Sequence, residues 1–239
     1  ENGEKITTKL IIITEKKTNL IDQNFKNNLI KKDLKQTSLV LDVKSRTKNH
    51  AYQIFTKKGA IAYLPINENL ASVIWSLDNS SDELDYSQED ILREINKFYK
   101  EIIYCDEVLN MQKYKLQFEY AKKTFLQSIV LIGDAAHSIH PIAGQGLNLS
   151  IKDIVELKNQ IDKFNYLGYP LGNSLSLSEY ANLRFSDAAL YSFSTIYLDE
   201  IFKSRNYLLN KVSNFGIQSI EKNKIIKDLI IQSATGQSN

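Results

Sequence analysis

An α+β fold with at least two lobes is what the sequence predicts, on three observations. Short apolar runs rich in β-branched residues stand at residues 9–14 (KLIIIT) and 128–132 (SIVLI), the mark of buried strands. Between them lie strand-like pieces joined by short polar turns, which argues for an antiparallel sheet. Helical spacing of apolar residues dominates after about residue 147. Strands and helices grouped in blocks, rather than alternating, point to α+β.

The elements follow in chain order. After the first strand, a Lys- and Asn-rich stretch runs to about Gln36 and carries no clear period. Residues 38–43 read SLVLDV and residues 51–56 read AYQIFT, the latter followed by the turn signal Lys57-Lys58-Gly59. Residues 60–66 and 71–77 (ASVIWSL) are separated by Asn67-Glu68-Asn69. At residues 87–103 the period changes: Ile91, Leu92, Ile95, Phe98, Tyr99 and Ile102 fall at helical spacing, and Ser87 with Asp90 forms a capping box. Residues 114–121 (YKLQFEYA) alternate again as a strand. The second buried strand, 128–132, runs into Gly133-Asp134, and helices are expected over 147–161, 178–211 and 217–233. No internal repeat is visible.

Composition narrows the class. With 43% hydrophobic and 24% charged residues among 239, collagen-like, coiled-coil and fully disordered chains are excluded. The net charge of +2 is lopsided: residues 1–60 hold thirteen Lys/Arg against six Asp/Glu, a balance of +7, and the remainder seventeen against twenty-two, −5. A nucleic-acid stripe would interleave aromatics with the lysines, and only Phe25, Tyr52 and Phe55 lie there, so no nucleic-acid partner is expected. One cysteine, Cys105, excludes an intramolecular disulfide and a Cys-based metal cage, and fits a reducing compartment. No run approaches the roughly 20 apolar residues of a membrane span, and none resembles a signal peptide.

The chemistry concentrates in IVLIGDAAHSIHPIAGQGLNLSIKD, residues 129–153. Ligands of open α/β sheets sit beyond the carboxyl ends of strands, where Asp134 can accept hydrogen bonds from ligand hydroxyls. Gly144-Gln145-Gly146-Leu147-Asn148 opens a helix. Its glycines let a backbone come close to a ligand, and the free N–H groups and positive dipole end favour an anionic or electron-rich one. Taken singly, Gly133-Asp134 reads as a turn and the glycine pair as a helix cap. Strand, Asp, Pro-containing link and helix start within one short span make a more specific signal.

GDAAHSIHPIAGQGLNLSIKD resembles the second flavin-binding signature of the aromatic-ring hydroxylases. It is most similar to the ubiquinone-biosynthesis branch of that family, with the pattern G-D-A-A-H-x-x-H-P-x-A-G-Q-G-x-N-x-x-x-x-D. The resemblance implies that Gly133 and Asp134 lie at the FAD ribityl chain. Pro141 would lie along the isoalloxazine ring. Gly144, Gln145, Gly146, Leu147 and Asn148 would wrap the pyrimidine end of the flavin, with backbone N–H groups facing N1 and O2. Residues 51–77 are similar to the family's substrate lobe, in which G-x-x-A-x-L-P precedes V-W-S. Residues 180–187 (YANLRFSD), followed by Phe202, resemble its Y-x-x-x-R-x-x-D helix.

The resemblance also marks two departures. The family opens with a strand, G-x-G-x-x-G and a helix that hold the ADP half of FAD; here Gly3 is the only glycine before Gly59. The family's A-D-G-x-x-S-x-x-R reads Thr14-Glu15-Lys16-Lys17-Thr18-Asn19 in this chain, with Lys16 in place of the glycine and Asn19 in place of the serine. The expected organisation is therefore a partial FAD-binding α/β lobe, an antiparallel β-sheet substrate lobe and C-terminal helices. Residues 1–36 would be the remnant of the FAD lobe and 37–123 the substrate lobe. Residues 124–167 would be the strand-GD-loop-helix part of the FAD lobe and 168–239 the C-terminal helices.

Other constellations carry less. Asp134, His137 and His140 are spaced D-x-x-H-x-x-H, but Pro141 interrupts any helix that would gather them, and a glycine-rich helix start has no part in a metal site; no metal is expected. His137 reads as a hydrogen-bonded loop residue and His50 as surface. Arg184 and Asp187 are i, i+3 on a helix and read as an ordinary ion pair. Trp75 and Tyr63 could line an aromatic pocket or pack in the core. Ser138 beside His137 lacks a Gly-x-Ser-x-Gly elbow. No acid or base stands out as catalytic.

By resemblance, then, the chain is an FAD-dependent, NAD(P)H-using monooxygenase, or the C-terminal portion of one, acting on a polyprenylated phenol on the way to ubiquinone. The alternative is a non-catalytic remnant or subunit serving as an interaction module. A lipid substrate implies membrane-surface contact or other ubiquinone-biosynthesis proteins as partners, hence a cytoplasmic location peripheral to the inner membrane. Two sequence features suit a bilayer surface: the basic N-terminal excess and residues 217–231, where isoleucines alternate with Lys222, Lys224 and Lys227. The favoured reading of the same stretch is a terminal helix packed on the core or on a partner subunit.

Overall fold

A computed structural model of the chain describes residues 6–46, 50–56, 58–100, 102–138 and 145–203; for residue 145 and residues 193–203 it describes the backbone only. The fold is α+β, and the chain divides into two compact units. Of the described residues, one comprises 6–32 and Gln117–Ile196, the other Asp33–Leu116 and 197–203.

The second unit is an antiparallel sheet covered by one helix. Its strands β2 (Leu29–Ser45), β3 (Tyr52–Thr56), β4 (Gly59–Asn67), β5 (Leu70–Asp78) and β6 (Cys105–Ala121) lie in the order β3-β4-β5-β2-β6, and β2 and β6 continue into the other unit. The β3–β4 hairpin closes Thr56 on Gly59, whose φ of +136° suits glycine. Strict alternation puts Leu39, Leu41, Val43, Ile61, Tyr63, Val73 and Trp75 on one fully buried face. Helix α2 (Gln88–Tyr99) lays Ile91, Ile95 and Tyr99 on that face. The capping box at its start forms as expected, with Asp90 N–H donating to Ser87 Oγ at 3.2 Å.

Trp75 stacks edge-on against Phe98 at 5.5 Å, and Tyr63 donates to Ser45 Oγ at 3.0 Å. Both rings are fully buried and belong to this core. Cys105 joins the same core, and burial pushes its thiol up to about 11. His50 is exposed.

The first unit is built on β1 (Ile11–Ile13) and β8 (Ile129–Leu131), which pair in parallel, with Ile11 opposite Ile129 and Ile13 opposite Leu131. The hairpin strand β7 (Phe125–Leu126) completes the order β1-β8-β7. The short β9 (His137–Ser138) pairs with the end of β6, Tyr120 opposite His137. Strand β8 is buried on both faces. Leu131 packs with Ile13 and with Ile21 and Phe25 at helix α1 (Asn19–Asn24), while Val130 and Ile132 pack with Leu157, Leu177 and Tyr180. That double burial explains why its sequence is an unbroken apolar run.

Leu157 belongs to helix α3 (Gln145–Tyr166); Leu177 and Tyr180 belong to α4 (Ser174–Lys203). Both helices outrun their sequence-predicted spans at their N-terminal ends. The Lys- and Asn-rich stretch, silent in the sequence, contains α1 and the first half of β2. The stretch 217–231 lies outside the described residues.

Candidate functional site at the end of strand β8

Strand β8 ends in a 3-10 turn over Gly133–Ala135. Its backbone is fixed from two sides. Ile132 N–H donates to Ile13 O at 3.0 Å and Ala135 N–H to Thr14 O at 3.1 Å, so the turn rides on the end of β1. Gly133 adopts φ +57°, in the left-handed region, and its N–H donates to Asp153 Oδ2 at 2.9 Å. The ends of two parallel strands therefore present Asp134, and this carboxylate is exposed while Gly133 and Ala135 on either side are buried.

Helix α3 supplies the other wall. Gly146, Ser150, Asp153 and Leu157 recur at helical spacing on the face toward β8. A Cβ on Gly133 would lie 3.0 Å from Ser150 Oγ, and Ser150 Oγ donates to Gly146 O at 3.0 Å. The turn thus packs against the first turns of the helix. The opposite face leaves Leu147, at 70% exposure, Ile151, Ile154 and Val155 open. At Gly146 a Cβ would meet nothing within 4 Å among the described residues, which leave the space beside the helix start open.

Of the residues singled out in the sequence, the fold brings Gly133 and Asp134 to the strand end, and Gln145, Gly146, Leu147 and Asn148 to the first turn of α3. Pro141, Gly144 and His140 lie outside the described residues.

Beneath the turn is a buried polar hub that sequence reasoning missed. Asp153 is 1% exposed, and its Oδ2 lies 2.7 Å from His137 Nε2. Its Oδ1 accepts from Arg184 Nε at 2.9 Å, and Arg184 Nη1 donates to Asp187 Oδ2 at 2.9 Å. Burial by itself would raise the Asp153 carboxyl. The His137, Gly133 and Arg184 donors outweigh it and hold the group below its ordinary value. Asp153 is therefore a carboxylate, His137 Nε2 carries a proton, and this ring nitrogen is committed to Asp153.

The expected Arg184–Asp187 pair exists, but the buried Arg184 spends its Nε on Asp153. A signal was present: Asp153 and Arg184 each interrupt the apolar stripe of a helix, Arg184 lying between Leu177, Tyr180 and Ala188 at helical spacing. Opposite charges on two apolar stripes mark a buried pair.

Lys16 donates from Nζ to Ser138 Oγ. Beside it opens a polar cleft of about 630 Å³, lined by Lys17, Asp22, Lys31 and Glu119. Lys31 Nζ and Glu119 Oε1 stand 3.7 Å apart.

The family model for the FAD-binding domain matches residues 23–164, more than half of the chain. The chain belongs to the FAD-binding domain family. FAD is the cofactor of that family. Among relatives, the mitochondrial ubiquinone biosynthesis monooxygenase COQ6 of Dictyostelium discoideum is 25% identical over 78% of this chain and 44% of its own length. The ubiquinone hydroxylase UbiL of Rhodospirillum rubrum is 28% identical over 84% of this chain and 48% of its own. The 3-demethoxyubiquinol 3-hydroxylase of Escherichia coli is 24% identical over 99% and 61%. The chain thus spans about half the length of these relatives. In fold it resembles the p-nitrophenol 4-monooxygenase PnpA of Pseudomonas putida, with a TM-score of 0.71 at 16% identity over 96% of this chain and 60% of the other.

Proposed function

We propose that this chain is part of an FAD-dependent monooxygenase that hydroxylates a polyprenylated phenol on the route to ubiquinone, with NAD(P)H as reductant. Supporting the reading are its family and the names of its relatives, which are ubiquinone hydroxylases. One observation carries it. An exposed carboxylate, Asp134, stands on a backbone turn locked to two parallel strand ends, beside a helix start with open space at Gly146.

The residues fit the cofactor. Asp134 would accept hydrogen bonds from ribityl hydroxyls. Gly146 would let the α3 backbone approach the ring, and the first-turn N–H groups of α3 would face the ring's electron-rich edge. Pro141 and Gly144 would complete the contact on the same motif. Bound flavin supplies the activation of O₂ and the transfer of one oxygen atom. The chain's own residues hold the ring, fix its orientation and direct dipoles toward developing charge. Asp153, buried, keeps the Gly133 N–H occupied, so the turn presents Asp134 without rearranging. A polyprenylated substrate is a lipid, so this reading implies contact with a bilayer surface or hand-over from other ubiquinone-biosynthesis proteins.

A second reading, a non-catalytic subunit acting as an interaction module, rests on Lys16. Its ammonium holds the Ser138 hydroxyl next to the strand ends, where the family pattern has glycine.

The test supplies the chain with a Gly-x-Gly-x-x-Gly nucleotide-binding segment from a relative, FAD, NADPH and a short-chain polyprenylated phenol. The monooxygenase reading expects flavin absorbance to co-purify and the phenol to gain one oxygen atom. Flavin retention without product, or no flavin at all, favours the interaction module.

A further inference from the structure

Behind the Asp153 hub lies a small, partly open cavity of about 10 Å³, bounded by Thr124, His137 and Arg184 and walled by Tyr120, Tyr180 and Phe185. Three of these lining residues carry a buried side-chain atom with no hydrogen-bond partner among the described residues: Thr124 Oγ1, His137 Nδ1 and Arg184 Nη2. His137 is 3% and Arg184 7% exposed. Such orphans are costly one at a time, and three on residues around one small space point to a shared guest.

We propose that this cavity is a binding site for a single structural water molecule, held by Thr124, His137 and Arg184. The size agrees: a cavity needs on the order of 10–15 Å³ to hold one water, with two to four polar partners. The donor and acceptor count agrees as well. Asp153 accepts from His137 Nε2, and the other ring nitrogen, Nδ1, has no partner among the described residues. Arg184 Nη2 offers only hydrogens, while the Thr124 hydroxyl both gives and takes. A water accepts from Arg184 and, because it both donates and accepts, serves His137 Nδ1 in either role and exchanges with Thr124. A halide would accept from Arg184 and Thr124, but it would stand close to the Asp153 carboxylate.

The water joins three segments distant in sequence. Thr124 sits between β6 and β7, where its carbonyl accepts from Leu131 N–H at 2.7 Å. His137 is on β9 and Arg184 on α4. With the water in place, all three guanidinium nitrogens of Arg184 are engaged: Nε by Asp153, Nη1 by Asp187 and Nη2 by the water. The inference stands apart from the flavin reading, because it concerns hydration of the hub and not the cofactor.

The test is a crystal structure of the whole 239-residue chain, with Thr124→Val and Thr124→Ser variants and a sodium bromide soak. One solvent peak is expected within about 2.7–3.2 Å of all three atoms. It should be lost in Thr124→Val, kept in Thr124→Ser, and show no anomalous bromide signal. Water relaxation dispersion in solution gives the same readout without crystals: one long-lived water fewer in Thr124→Val than in the parent or in Thr124→Ser. Absence of the peak in the parent overturns the proposal. So does a bromide signal, a direct bond between Arg184 and His137 or Thr124, or a water count that Thr124→Val leaves unchanged.

Discussion

Asp153 on α3 and Arg184 on α4, thirty-one residues apart, meet as a buried ion pair with 2.9 Å between Oδ1 and Nε. The pair is not isolated. The same carboxylate caps Gly133 N–H and holds His137, so one side chain joins two helices, the β8 turn and β9. Removing one partner of a buried pair strands the other, which costs about 3–5 kcal/mol. Arg184→Leu should therefore lower stability by about that amount in urea titration. A loss under about 1 kcal/mol would mean that Asp153 is satisfied by His137 and Gly133 alone.

The pH dependence of folding has a definite sign. Asp153 titrates below its ordinary value of 3.8 in the folded chain. Its contribution is fully present above that value and is lost as pH falls through the lower folded value. Melting temperatures measured from about pH 5 down to about pH 2 should fall more steeply for the parent than for Asp153→Asn. Parallel curves would remove Asp153 from the acid limb.

Asp134 is expected to matter for the cofactor and not for the fold. Because its side chain is exposed, Asp134→Ala should change stability by no more than about 0.5 kcal/mol. Loss of a charge-assisted hydrogen bond costs about 1.5–3 kcal/mol, or roughly ten- to a hundredfold in flavin affinity. Flavin content of the nucleotide-segment fusion reads this directly, and unchanged content would count against the assignment.

The two described glycines of the site should behave oppositely toward alanine. Gly133→Ala forces a Cβ into a left-handed residue and to within 3.0 Å of Ser150 Oγ. It should destabilise by about 1–3 kcal/mol. Gly146→Ala meets open space inside a helix, so it should stabilise the chain by about 0.5–1 kcal/mol. If α3 approaches the flavin at that point, the same methyl lowers flavin retention while the protein melts higher. Higher melting with full flavin retention would place the ring elsewhere.

Alone, the 239-residue chain should bind FAD weakly. It carries the motif proposed to meet the flavin ring, but no Gly-x-Gly-x-x-Gly to seat a pyrophosphate on a helix start. Isothermal titration with FAD checks this, and tight stoichiometric binding would refute it.

Where side-chain period decides an element, the sequence was legible. Strand β8 reads as an unbroken apolar run because both its faces are buried, and α2 reads from its capping box and stripe. The Gly133-Asp134 turn and the α3 start were legible for a related reason: a strand that stops at glycine and a helix with glycine in its first turn are local events. The polar half of β2 was not legible. Its Leu29–Gln36 stretch is rich in lysine, and Lys35 even adopts φ +53°. Strand β5 pairs with β2 only from Gln36 onward, so this half rests on its other neighbour, β6, and a partner strand appears in no local window.

The sequence by itself determined the family signature, the apolar faces and the residues proposed to meet a cofactor. Only the tertiary structure decided which polar groups are buried together. Asp153, His137, Arg184 and Thr124 come from four separate segments, and each taken alone is an ordinary polar residue. Charge and hydrogen-bonding capacity are properties of a residue, but desolvation is a property of its neighbours, and those neighbours exist only once the chain has folded.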